Sequence, residues 1–159
     1  MEPLPDPRPI RAASISEDPG RRRELGGGKL RIVFHLIPAE RPEVQAVYHE
    51  DFSPVTEDRP ARAGEVLIIR ASGLGPLTPG TTPSGSNPFP NPPVEVNSPV
   101  EVTMGGIASP VINKLGWPGE TNVYRVDVRV PGGVAAGMAG VQMTAAWIPG
   151  GVYRVPMVN

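Results

Sequence analysis

Between Asn122 and Gly140 the chain reads NVYRVDVRVPGGVAAGMAG, and no other stretch limits the fold so sharply. Tyr124, Val126, Val128 and Val130 fall on one side of an extended chain, while Val123, Arg125, Asp127 and Arg129 fall on the other. Period-two alternation of this kind is a strand with one face on a core and one in water. Pro131-Gly132-Gly133 then ends it. One strand cannot hide its own valines, so a second layer must cover them, and the segments downstream of about Pro54 are read as the strands that supply it.

Helix is disfavoured throughout. The 159 residues include 22 prolines and 19 glycines, which implies many turns and short strands. With 15 basic and 16 acidic side chains the formal net charge is −1, so no electrostatic footprint points to nucleic acid or to an anionic membrane. The chain has no cysteine, which rules out a disulfide framework, a thiolate zinc site and a cysteine nucleophile together. No apolar run approaches the roughly twenty residues that span a bilayer, and the first residues lack the apolar core of a signal peptide. No membrane insertion is expected.

Residues 1–28 combine repeated prolines with Arg21-Arg22-Arg23 and Gly26-Gly27-Gly28, and are read as a flexible, disordered tail. Residues 29–53 are read as an N-terminal extension of two strands forming a β-hairpin, Leu30 to Ile37 and Val44 to His49, with Val44, Ala46 and Tyr48 on one face. From 54 to 159 the expectation is a β-sandwich. Val66-Leu67-Ile68-Ile69 is apolar on both faces, as an inner strand is. Ser72 to Pro99 is a long Gly/Pro/Ser/Thr/Asn loop. Val100, Val102 and Met104 lead into a Gly105-Gly106 hairpin. Val141, Met143, Ala145 and Trp147 are expected to face the core together, before Pro149-Gly150-Gly151 turns the chain for the last time. Pro156 places the closing strand at a sheet edge.

Asp51 to Pro54, Pro60-Ala61 with Gly64-Glu65, Gly73 to Pro76, and Val123 to Pro131 occur in an order that resembles an uncharacterised C-terminal domain family recurring in many large secreted proteins of soil bacteria. The resemblance runs from about Tyr48 to the C-terminus. It implies an immunoglobulin-like β-sandwich, a position at the end of an exported multidomain protein, an extracellular or cell-surface location, and no catalytic residues.

The chemistry in the sequence is sparse. His49-Glu50-Asp51 places His49 and Asp51 on one face of a strand, but no third ligand stands at a telling spacing, so neither a metal nor a cofactor is expected. Gly26-Gly27-Gly28-Lys29 lacks the spacing and the hydroxyl of a phosphate loop. No serine sits in a G-x-S-x-G elbow, and the acids of the sandwich are scattered, so no catalytic residue is assigned and the chain is read as a non-enzyme. Trp117 beside Pro118-Gly119, and Phe89 between Pro88 and Pro90, are the aromatic candidates for a ligand platform, with Asn113 as a hydrogen-bonding neighbour. Either ring could instead fold back to cap the open end of the sandwich. Trp147 is assigned to the core. The expected role is a structural or interaction module whose partner is a protein or cell-surface component, and the alternative is an accessory carbohydrate-binding module.

Overall fold

The computed structural model describes residues 41–78 and 87–159. The expected tail and the strand Leu30 to Ile37 lie outside these residues. Among the described residues nine strands run in chain order as β1 (Glu43–His49), β2 (Ala61–Arg62), β3 (Val66–Ser72), β4 (Val100–Met104), β5 (Ile107–Ser109), β6 (Val111–Gly116), β7 (Tyr124–Arg129), β8 (Gly137–Ala145) and β9 (Ile148–Val158). There is no helix among the described residues. They form a four-stranded sheet, β1-β3-β7-β6, and a five-stranded sheet, β2-β9-β8-β4-β5.

The two sheets share one apolar interior. Leu67, Ile69, Val126 and Val128 from the first sheet join Val102, Met104, Val141, Met143, Val155 and Met157 from the second in a single buried cluster. The alternation of Tyr124 to Val130 therefore has the meaning expected of it, since all four inward residues are buried. β3, between β1 and β7, is covered on both sides, and Ile68 is fully buried although it lies outside the main cluster.

β1 is a member of the first sheet. It pairs antiparallel with β3 from Glu43↔Ser72 to His49↔Leu67, so this strand is no part of an extension outside the sheets. A bulge between Val44 and Ala46 adds one residue and reverses the parity: Val44 faces inward, then Val47 and His49 do, in place of the expected Ala46 and Tyr48. Two glycines pinch the start of this strand. A side chain on Gly73, just past β3, would run into the Arg41 carbonyl, and one on Gly150 of β9 would run into the Pro42 carbonyl. The Arg41-Pro42 peptide thus passes between both sheets where only bare backbone fits.

The β8–β9 hairpin corrects two expectations. Ala145 pairs with Ile148, so the chain reverses at Ala146-Trp147, whose φ values of 46° and 65° are those of a two-residue primed turn. Trp147 sits at the tip of that turn with 81 % of its surface exposed, instead of continuing the inward row of Val141, Met143 and Ala145. Pro149-Gly150-Gly151 lies within β9, where Gly150 serves the close approach of Pro42. Pro156 does lie near an edge, because among the described residues the only strand beyond β9 is β2, which meets it at Met157 and Val158 alone.

Candidate functional site

The loop after β1 is built around a carboxylate. Asp51 Oδ1 accepts hydrogen bonds from the Ser53 amide (3.0 Å) and hydroxyl (2.6 Å), and Oδ2 accepts one from Arg59 Nη1 (2.8 Å). Arg59 Nη1 also donates to Ser53 Oγ. The Ser53 hydroxyl, the Arg59 guanidinium and the Ser53 amide hold the Asp51 carboxyl well below the usual carboxylate range. The His49 amide bonds the Ser53 carbonyl (2.8 Å) and the Phe52 amide bonds the His49 carbonyl (2.9 Å), which closes the turn. Its tip is Phe52, at φ 63° and 51 % exposed. A bulky residue in the left-handed region is a strained one, and the surrounding bonds hold it there.

Phe52 belongs to a patch on the outer side of the four-stranded sheet. Arg70 of β3 and Arg125 of β7 are cross-strand partners in that row, and Leu115 of β6 pairs with Arg125. The Arg125 guanidinium carbon lies 5.3 Å from the centre of the Phe52 ring, and that of Arg70 lies 5.4 Å from the centre of the Trp117 ring. The two rings meet edge to face, 6.3 Å apart. Arg125, Phe52, Trp117 and Arg70 therefore form one continuous series, two rings in contact with a cation over each, and each cation–ring contact is of a kind worth about 0.5–1 kcal/mol at an exposed site.

Polar groups fix the arginines. Arg125 makes a forked contact with Asp127, Nε to Oδ1 at 2.8 Å and Nη2 to Oδ2 at 2.9 Å. Asp127 is buried although it points away from the core, and its Oδ2 also accepts from Asn113 Nδ2 at 2.7 Å. That bond orients the Asn113 amide and leaves its Oδ1 buried with no hydrogen-bond partner among the described residues. Arg70 reaches Glu120 Oε1 at 3.4 Å and Gln45 Oε1 at 3.3 Å. These are restrained, partly desolvated guanidinium groups beside rings, which is the composition of protein-binding hot spots.

Of the three residues singled out in the sequence, Trp117 and Asn113 lie on this outer side and Phe89 does not. Phe89 is 4 % exposed and packs on Tyr124 with ring centres 4.9 Å apart, capping the core. Its backbone is joined to the Trp117–Glu120 turn, the Phe89 amide bonding the Glu120 carbonyl (2.8 Å) and the Gly119 amide bonding the Phe89 carbonyl (3.0 Å). One ring goes in and the other out. Sequence reasoning missed Phe52, Arg70 and Arg125. The outward position of Arg125 was legible in the alternation, but the left-handed turn that lifts Phe52 onto the sheet has no glycine or asparagine to announce it.

A concavity of about 520 Å³ lies between His49, Asp58, Arg59, Arg62 and Glu65. His49 is 3 % exposed at its floor, with Nδ1 bonded to Glu65 Oε1 and Nε2 3.1 Å from the Arg59 carbonyl. Glu65 Oε2 accepts from the Arg62 amide at 3.0 Å. Both ring nitrogens are committed, so the imidazole ties the end of β1 to the turns flanking β2 and presents no free nitrogen to a substrate. No cluster of three metal-ligating side chains occurs among the described residues. No helix among them is long and apolar enough to cross a membrane.

Comparison with protein-family models, curated proteins and solved structures finds no match for this chain.

Proposed function

We propose that this domain is a non-catalytic interaction module with an immunoglobulin-like β-sandwich, and that it docks a protein partner through the Arg125–Phe52–Trp117–Arg70 side of its four-stranded sheet. The observation that carries the reading is Phe52: a tightly bonded turn maintains a strained backbone to hold a half-exposed ring between Arg125 and Trp117. The immunoglobulin-like assignment is supported by strand order. Lettering the nine strands A, A′, B, C, C′, D, E, F, G turns the two sheets into A-B-E-D and A′-G-F-C-C′. An exported, cell-surface setting rests on the family resemblance described above.

Carbohydrate binding is the second reading, favoured by the partial exposure of Trp117 on the same side. A sugar stacking on the indole face that Arg70 covers would have to displace the guanidinium, which favours a protein partner instead.

The test is a photo-crosslinking phenylalanine analogue at position 52 in the native host, with the same analogue at the exposed position 101 as control. A discrete protein adduct at 52, absent at 101 and lost on Arg70→Glu, supports the reading. Absence of an adduct at 52, together with polysaccharide binding that Trp117→Ala abolishes, replaces it with the carbohydrate reading.

A further inference from the structure

The sheet edges are unequally protected. Beside β6 run Val94 to Val96, with the Val96 amide bonded to the Lys114 carbonyl and the Gly116 amide to the Val94 carbonyl, both at 2.9 Å. β1 is bulged and is met by Pro54 and Val55 at its far end. β5 and β2 are three and two residues long. β9 differs, being eleven residues long and paired with β8 on one side. On its other side, among the described residues, it meets only Ala61 and Arg62, at Met157 and Val158.

At the opposite end of β9, Gly150 is covered by Pro42. Between the two, Gly151 to Val155 have no backbone partner on the open side among the described residues. An open edge of this length, without a bulge in the Val152–Val155 register, is a template for another strand.

The side chains around this window say what such a strand should carry. Val152 is exposed and lies against Gly140, and Met138 is exposed further along β8 on the same outer surface. Arg154 stands two residues from Val152 on that surface, and Arg62 stands beside Val158. No ion pair joins either arginine to an acid among the described residues. The carboxylate of this sheet, Glu101, is on β4, two strands from β9.

We infer that the open edge of β9, from Gly151 to Val155, accepts an extended acidic peptide segment as an added strand of the five-stranded sheet. The incoming main chain satisfies the free amides and carbonyls, an apolar residue packs beside Val152, and a carboxylate two positions along pairs with Arg154. This surface is separate from the Phe52 patch, on the other sheet.

The probe is the peptide acetyl-TVTETVT-amide, titrated into the full chain and followed through backbone amide shifts and hydrogen exchange. Shifts and new protection centred on Gly151 to Val155 are expected. Replacing the peptide glutamate by lysine, or making Arg154→Glu in the protein, should weaken binding about tenfold each, and combining the two should restore it. Methylating alternate peptide amides should abolish binding, and Phe52→Ala should leave it unchanged, so failure of the docking patch is distinguishable from failure of the edge. Equal binding of the methylated peptide, or perturbations away from β9, would overturn the inference. So would concentration-dependent self-association through the same amides without a response to peptide, which would make a second copy the occupant.

Discussion

Phe52 and Trp117 meet with their ring planes at 73°, one projecting from the turn after β1 and the other from the turn after β6. The contact draws two distant loops over the sheet, and its partners are arginines rather than further apolar groups. That arrangement makes the backbone at Phe52 a measurable quantity.

Left-handed φ at a residue with a Cβ costs about 1–2 kcal/mol, a cost glycine avoids. Phe52→Gly should therefore be more stable than Phe52→Ala by about 1 kcal/mol in urea unfolding, opposite to the usual order for extended or helical sites. Equal stabilities would mean that the turn relaxes out of the left-handed region once the ring is gone.

Asp51 supplies a pH test. Its folded-state value is depressed, chiefly by the Ser53 hydroxyl and then by Arg59, so its stabilisation is present above the unfolded value and lost as pH falls through the folded one. Wild type should exceed Asp51→Asn in urea midpoint at neutral pH, with the gap closing progressively below about pH 4. A gap independent of pH would assign the effect to shape rather than charge.

The β8–β9 turn offers a stabilising change. Replacing Ala146-Trp147 by Asn-Gly fits the primed turn and removes an exposed indole, and should raise stability by about 1 kcal/mol. Had Trp147 been a core residue, the same change would cost several times that amount, about 3–5 kcal/mol. Thermal melts of the double variant separate the two.

Tyr124 donates from Oη to the Gly75 carbonyl at 2.6 Å in a buried site, anchoring the loop that leaves β3. Tyr124→Phe keeps the ring and orphans that carbonyl, for an expected loss of about 1–3 kcal/mol. The loss should appear as faster amide exchange around Leu74 and Gly75, with the β8–β9 ladder unaffected.

The core was legible because alternation reports burial directly: Tyr124, Val126, Val128 and Val130, or Val141 and Met143, could lie only one way once a second layer existed. Parity was lost wherever the count of residues changed locally. The bulge in β1 exchanged Ala46 for Val47, and an Ala-Trp turn without glycine puts the last reversal three residues upstream of Pro149-Gly150-Gly151. The outer patch was half legible. Trp117 and Asn113 stood out by type and place, whereas Phe89 could not be separated from Trp117, because sidedness depends on a loop pairing between distant segments.

The glycine pinch around Arg41-Pro42 has a mechanical meaning. Gly73 follows a strand of one sheet and Gly150 belongs to the other, so the peptide wedged between them touches both layers at one point. A pull delivered through the polypeptide at Arg41 is shared by the two layers from the outset, and β1 resists being peeled from its neighbour until that wedge gives way.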